Sequence, residues 1–196
     1  MKNLVTIFLA AVLLTACSKD QDPQPAAPAP ALQAGMTRTF TFPSNSNYDT
    51  GLTYTQKSMR ITGKLDGSAL SMAFDVPEGS DFISFAMPAS TLSANLQGSY
   101  RLRDRQNSPN AVVETRYSYT TLNVPGASSG QLFFSSGNNM VGKVVITAYD
   151  SQRRLLNGSF EMAIDGVSDP RERYPSANSA RCNVKVIGTF ENLKLE

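Results

Sequence analysis

Three carboxylates stand close together in the segment DVPEGSD, at Asp75, Glu78 and Asp81. Paired carboxylates can act as general acid and base in glycan hydrolysis, and carboxylate oxygens are the ligands that Ca²⁺ prefers. The spacing differs from that of a helix-loop-helix calcium loop, and a solvated turn uses the same residue types. We therefore interpret the segment as a solvated hairpin turn and predict no metal site, with a calcium site or a carboxylate pair as the alternatives.

The chain contains no histidine, so it lacks the residue that most often serves as general base and zinc ligand. Histidine-dependent catalytic triads are excluded for the same reason. We accordingly expect no catalytic residue, no cofactor and no enzymatic activity. A carboxylate-dependent glycan hydrolase is kept as an alternative hypothesis.

Arginine offers a second kind of chemistry, because its planar guanidinium binds carboxylates in a bidentate manner. Arg101, Arg103 and Arg105 alternate along the segment YRLRDR and would share one face of a strand. Glu114 and Arg116 can continue that face on a neighbouring strand. Such a stripe can hold an anionic glycan or a partner's carboxylates, and it is also typical of an ordinary solvated sheet face.

Three more arginines, Arg171, Arg173 and Arg181, lie in a long polar stretch with two prolines. Long loops on rigid β scaffolds commonly carry binding residues. We therefore predict a contact surface over residues 166–181. Together with the arginines of YRLRDR, these side chains form the predicted binding surface.

Tyr117 and Tyr119 would share one face of their strand. We interpret them as packing residues rather than as a platform for sugars, since the chain has no tryptophan. Cys182 is interpreted as a small buried or half-buried residue beside a strand, because no histidine is present to activate its thiol.

The other cysteine, Cys17, closes an N-terminal segment with the layout of a secretory signal: Lys2, an uncharged apolar run of eleven residues and two small residues. A membrane-spanning helix needs about 20 residues, so residues 1–16 are predicted to be a cleaved signal peptide. The sequence Leu14-Thr15-Ala16-Cys17 resembles the bacterial lipobox. The resemblance implies that Cys17 becomes a lipidated N-terminus whose acyl chains anchor the protein to a membrane.

Residues 17–34 form the predicted lipidated N-terminus and linker, in which prolines among alanines favour extended polyproline II structure. Ser18 is not the inner-membrane retention aspartate of lipoproteins, and the short acidic stretch after it is similar to surface-export signals of Bacteroidetes lipoproteins. We therefore expect an outer-membrane location, facing the periplasm or the cell exterior. The net charge of +2 predicts no nucleic-acid partner and leaves a protein or glycan partner open.

Residues 35–196 are predicted to form one all-β domain, because short segments alternate apolar and polar residues and no long stretch keeps a 3.6-residue period. The candidate strands are residues 37–42, 58–65, 69–75, 82–87, 99–104, 112–121, 131–134, 141–149, 155–164 and 184–195. This number favours a single antiparallel β-sandwich of about 9–10 strands, with a β-barrel as the alternative.

Turn residues connect these segments. Asp66-Gly67 predicts a two-residue hairpin turn with positive φ angles. A second hairpin can turn at residues 150–154 or at Asn157-Gly158, and we prefer the first because it keeps the apolar residues from Leu156 to Ile164 in one alternating row.

A glycine lies between two apolar residues of the same strand face at Gly63, Gly158 and Gly188. Glycine weakens a strand interior, so it often marks a bulge or the close approach of another group. We predict that neighbouring aromatic rings cover the bare backbone there, and not a ligand.

The segment GKVVITAYDSQRRLLNGSFEM and the later VKVIGTFENLKL resemble an uncharacterised family of lipid-anchored Bacteroidetes β-sandwich domains. The matching features are Tyr149-Asp150, Gly158-Ser159-Phe160 and the run from Gly188 to Asn192, all of them structural. The resemblance implies a β-sandwich on a lipid tether and supplies no functional residue.

The sequence thus predicts a lipid-anchored, exported lipoprotein that acts as a non-enzymatic binding or structural accessory module. A lipocalin-like carrier of an apolar ligand is a second hypothesis, although the tryptophan of the lipocalin signature is missing. A glycan hydrolase is the third.

Overall fold

The computed structural model describes residues 28, 30–77, 80–106, 108, 110–124 and 127–196. Within them the chain forms eleven β-strands and three short 3₁₀ turns. The strands are β1 (Gln33–Thr41), β2 (Thr50–Thr55), β3 (Arg60–Leu65), β4 (Ala69–Asp75), β5 (Asp81–Pro88), β6 (Gly98–Leu102), β7 (Ala111–Val124), β8 (Ala127–Phe134), β9 (Met140–Asp150), β10 (Leu155–Ser168) and β11 (Arg181–Lys194). The 3₁₀ turns are Ser46–Tyr48, Gln56–Ser58 and Ala89–Thr91.

The strands make one strongly curled sheet with two halves. Half A has the order β2-β1-β11-β10-β9-β6, and half B has the order β7-β5-β4-β3 with β8 on the other side of β7. The halves meet where β6 pairs in parallel with β7, while the other pairs of neighbouring strands are antiparallel. The prediction of an all-β domain is confirmed.

The sheet also approaches closure between β3 and the residues that follow β11. The backbone N–H of Glu196 donates to Gly63 O at 3.0 Å, and the N–H of Leu65 donates to Glu196 O at 3.2 Å. Arg154 adds a hydrogen bond from Nη2 to Leu65 O at 3.1 Å. The domain therefore combines the two facing layers of a sandwich with part of the closure of a barrel.

Aromatic side chains fill the space between the halves. The ring of Phe74 on β4 lies 4.6 Å from that of Phe160 on β10 and 5.9 Å from that of Phe190 on β11. Phe85 on β5 lies 5.0 Å from Phe160. These rings are at most 3 % exposed, so the centre of the domain is packed with side chains from both halves.

All ten predicted strands are present; β4 has its predicted ends, and the other nine differ by one to several residues at one or both ends. The sequence missed β2, whose six residues are exposed apart from the partly buried Tyr54. β2 is the edge strand of half A and buries little side-chain surface, so its sequence does not need to alternate between apolar and polar residues. The first strand begins at Gln33, two residues before the predicted domain boundary.

Both predicted hairpins are present, although one turn works differently from the prediction. Gly67 does not have a positive φ. Instead the Asp66 carboxylate accepts hydrogen bonds from the backbone of Ser68 and Ala69 and from the Ser68 hydroxyl, which holds the turn in place of a special glycine conformation. The second hairpin turns at residues 151–154, with Arg154 at φ 56°.

The glycine prediction is confirmed for two of its three positions. Gly158 is paired with Phe190, and Gly188 with Phe160, on neighbouring strands. A Cβ at Gly158 would lie 2.7 Å from Phe190 Cζ, and one at Gly188 would lie 2.6 Å from Phe160 Cε1. Each ring lies on the bare backbone of the opposite strand. Gly63 is covered by Leu193 and Leu195 instead of an aromatic ring.

No helix within the described residues is long and apolar enough to cross a membrane. The predicted signal peptide, Cys17 and residues 18–27 and 29 of the predicted linker lie outside the described residues.

Candidate functional site

A charged pair lies inside the domain, between the two halves of the sheet. Arg38 of β1 and Asp81 of β5 have side chains that are 3 % and 0 % exposed, and Arg38 Nε lies 3.3 Å from Asp81 Oδ2. The phenol of Tyr54 donates to the same oxygen at 2.5 Å, and that of Tyr117 donates to Oδ1 at 2.6 Å. Both oxygens of Asp81 are bonded, which offsets the cost of burying its charge. We call these four residues the buried polar cluster.

The proton affinities of the cluster follow from burial and from the Asp81 carboxylate. Burial raises the pKa of Tyr54 to about 12, and the hydrogen bond to Asp81 acts in the same direction. Burial and the Asp81 charge also raise the pKa of Tyr117 well above its ordinary value. The Arg38 guanidinium lies over the Phe40 ring, 4.1 Å from its centroid. The cluster satisfies its own charges, so it acts as a polar tie between the two halves of the sheet.

The structure gives the predicted carboxylate set separate roles. Asp81 points inward to Arg38, whereas Asp75 lies 3.9 Å from Arg60 in a pair that is largely exposed. Glu78 lies outside the described residues. Nowhere in the described part of the chain do three metal-ligating side chains come together. Asp75 and Asp81 line one small depression of about 310 Å³, but both oxygens of Asp81 are already bonded to Arg38, Tyr54 and Tyr117. The geometry of the described residues therefore supports neither a calcium site nor a free carboxylate pair.

The arginines of YRLRDR do not form one strand face. Strand β6 ends at Leu102, so Arg103 and Arg105 lie beyond it and only Arg101 is on the strand. Arg103 Nη1 donates to Glu114 Oε1 at 2.7 Å, and that bond neutralises both groups.

The loop arginines also have structural roles. The guanidinium of Arg171 binds both carboxylate oxygens of Asp169 at 2.9–3.1 Å and lies over the Phe42 ring. Arg181 donates to the backbone of Gly166 at 3.3 Å. Arg173 lies over the exposed ring of Tyr174. The predicted contact surface over residues 166–181 is therefore partly fixed by its own ion pair, and its exposed residues include Arg173, Tyr174 and Arg181.

Cys182 is fully buried on β11 and has a free thiol. Burial raises the pKa of this thiol to about 12, and the nearby Asp169 carboxylate acts in the same direction. The interpretation of Cys182 as a small buried residue agrees with this position, which is on β11 itself.

A shallow groove of about 420 Å³ lies on the outer face of half B. Its floor is formed by four small side chains on the two central strands, where Ser71 of β4 pairs with Ala86 of β5 and Ala73 pairs with Ser84. Larger side chains on the strands either side make the walls, so the small residues leave a depression between them. We call this surface the half-B groove.

The walls of the half-B groove carry its charged groups. On one side are Thr62 and Lys64 of β3, and on the other are Glu114 and Arg116 of β7 with Phe134 of β8. Two of the charges are already paired, since Lys64 Nζ lies 3.1 Å from Asp66 and Glu114 binds Arg103.

Arg116 is different because no carboxylate of the described residues lies within ion-pair distance of it. Its guanidinium carbon lies 5.5 Å from the ring centroid of Phe82 and 5.8 Å from that of Phe134. Contact with two ring faces orients the guanidinium while leaving its N–H donors available. The half-B groove therefore has a positioned cation with unused hydrogen-bonding capacity.

A second shallow groove, of about 450 Å³, lies on the outer face of half A. Its lining includes Gly35, Thr37 and Ser159, and its two charged residues, Lys143 and Glu161, lie 3.7 Å apart. Because these charges pair with each other, the half-B groove is the better candidate for a binding site.

The sequence pattern grouped Arg116 with the YRLRDR arginines as part of one strand face, and Arg38 was not predicted as a site residue. The signal for Arg38 was available in the segment MTRTFTF, where it occupies the same strand face as Met36 and Phe40. No comparable sequence pattern marks Arg116, because its aromatic neighbours lie on β5 and β8 and only the strand order brings them together.

Comparisons of the chain with protein-family models, with curated proteins and with solved structures find no match in any of the three.

Proposed function

We propose that the protein is an exported lipoprotein held at the outer membrane or cell surface by acyl chains on Cys17, with its β domain as a non-enzymatic binding or structural accessory module. The observation that carries the anchoring is Leu14-Thr15-Ala16-Cys17 at the end of an uncharged apolar run. A single acyl chain anchors only marginally, whereas two or more hold a protein at the membrane stably.

The domain geometry supports binding on an outer face. Aromatic rings occupy the centre of the domain, which favours an external ligand over an apolar molecule carried inside. Hydrolysis of a glycan by carboxylates requires two carboxyl groups about 5–10 Å apart in one groove. Among the described residues that line the half-B groove, Glu114 is the one carboxylate, and it is bound to Arg103. A binding module fits this groove better than a hydrolase.

The anchoring is tested by expressing the full chain in bacteria that are fed an alkyne-bearing fatty acid. Cys17→Ser should abolish lipid labelling and move the protein out of the membrane fraction. The matched control is Cys182→Ala, which removes the other cysteine and should leave labelling and fractionation unchanged.

Labelling that persists in Cys17→Ser would contradict the proposal, and so would a loss of labelling in both variants. Protease added to intact cells then distinguishes a domain on the cell exterior, which is cleaved, from one in the periplasm, which is protected.

A further inference from the structure

We propose that the half-B groove binds an acidic saccharide, with the carboxylate of a sugar acid held by Arg116 and the sugar ring resting on the floor of Ser71, Ala73, Ser84 and Ala86. This inference rests on the proposed binding role of the domain and names the ligand class of the same groove.

The charges of the half-B groove favour an anionic ligand. Arg116 lies in the wall without a carboxylate partner among the described residues, while Lys64 and Glu114 are paired. Guanidinium groups bind carboxylates through two parallel hydrogen bonds, and Phe82 and Phe134 restrict the orientation of this one. A positioned guanidinium loses less conformational entropy when it binds. The ligand is therefore expected to carry an anionic, planar oxygen pair.

The remaining lining fits a hydroxylated ring. Ser71, Ser84 and Thr62 add three hydroxyl groups to the lining, and hydroxyls both donate and accept hydrogen bonds. The ring of Phe134 is 44 % exposed and offers an apolar surface at the rim. The volume of about 420 Å³ falls within the usual range of small-molecule sites.

An extended acidic peptide fits the groove less well. Peptides that lie on sheets gain affinity chiefly from main-chain hydrogen bonds to a free strand edge. The floor strands β4 and β5 each have a hydrogen-bonded strand on both sides, in the order β3-β4-β5-β7. Their backbone groups are already used, so recognition must come from side chains, as it does for a saccharide.

The test measures binding to the full chain, purified in detergent, by titration calorimetry. Trigalacturonate is the probe, its methyl ester is the uncharged counterpart, and hexa-aspartate is the peptide. The variants are Arg116→Gln, Ser84→Val and, as a matched arginine control on β6, Arg101→Gln. Thermal unfolding of each variant shows whether it is folded, and Ser84→Val tests the floor independently of Arg116.

Trigalacturonate should bind the unmodified chain, and Arg116→Gln, Ser84→Val or the methyl ester should each weaken binding by about tenfold or more. Arg101→Gln should bind as the unmodified chain does. Three results would overturn the inference: hexa-aspartate binding as tightly as trigalacturonate, an equal loss in Arg101→Gln, or no binding of trigalacturonate at about 10 mM. Because these readouts do not depend on lipid labelling, their failure would leave the anchoring at Cys17 standing.

Discussion

The carboxylate of Asp81 is removed from water together with the guanidinium of Arg38. An uncompensated buried charge of this kind is strongly unfavourable, and a buried ion pair by itself often contributes no net stability. The two phenols make the difference at this site, since Tyr54 and Tyr117 give each carboxylate oxygen a neutral donor. The arrangement ties stability to the protonation of both tyrosines.

We predict that the protein loses stability between about pH 10 and pH 12. Tyrosine in the unfolded chain releases its proton near pH 10, whereas the folded pKa of Tyr54 is raised to about 12 and that of Tyr117 is raised as well. Over this window the unfolded state binds fewer protons, so the free energy of unfolding falls as pH rises. Urea unfolding at a series of pH values measures the slope.

The matched variants are Tyr54→Phe with Tyr117→Phe, and Tyr174→Phe on the surface. The double variant should show a shallower fall, while Tyr174→Phe should follow the unmodified protein. Cys182, whose pKa is also raised to about 12, is present in all of them and contributes equally. Equal slopes in all three proteins would show that the cluster does not hold its tyrosines protonated.

At the scale of the element, the reciprocal pairs of Gly158 with Phe190 and Gly188 with Phe160 join β10 to β11. Each aromatic ring fills the space that a side chain would occupy at the glycine opposite it on the neighbouring strand. The same rings then reach Phe74 on the opposite half. The glycines thus determine where the core aromatics lie.

Gly188→Ala should destabilise the domain by about 1–3 kcal/mol or more, because the new methyl group would lie 2.6 Å from Phe160 Cε1 and 2.9 Å from Gly35 O. Gly67→Ala is the matched control, since no atom lies within 4 Å of its added Cβ, and it should change stability by less than about 0.5 kcal/mol. Chemical denaturation measures both.

Phe160→Leu in the Gly188→Ala background supplies a double-mutant cycle. If Phe160 is the clashing group, the two substitutions together should cost less than the sum of their separate costs. Strict additivity would count against the reciprocal packing.

The sequence was informative about elements whose side chains alternate between core and solvent. β4 was predicted with its observed ends because its residues alternate strictly in burial. β2 was not predicted, since its inward side has little to cover and its residues are nearly all exposed. The buried polar cluster was harder to predict from the sequence. Asp81, predicted to lie in a solvated loop, begins β5 and faces Arg38. That pairing depends on how the two halves of the sheet face each other.

At the scale of the whole molecule, the approach of β3 to the residues after β11 links the last strand of half B to the interior of half A. Leu195 is 1 % exposed and covers Gly63, while Glu196 hydrogen-bonds to β3 through its backbone. The contact joins half A to half B on the side away from the β6–β7 junction. The core is therefore enclosed at both junctions.

Leu195→Ala should lower the free energy of unfolding by about 2–5 kcal/mol, as expected for a buried leucine, and should reduce hydrogen-exchange protection in β3 as well as in β11. Lys194→Ala, one residue earlier and exposed, is the control and should change neither quantity appreciably. Unchanged protection of β3 in Leu195→Ala would mean that the two strands open independently.

The pairing of β1 with β11 has a consequence for the order in which the chain can fold. Gln33 pairs with Glu191, and the register continues to Thr41 with Asn183. Contacts between residues so distant in sequence form slowly. During synthesis from the N-terminus, one side of β1 has no neighbouring strand until β11 has been made. Incomplete chains that expose apolar surface are prone to aggregation and proteolysis. The first strand of the domain therefore gains its pairing with β11 only after nearly all of the domain has been synthesised.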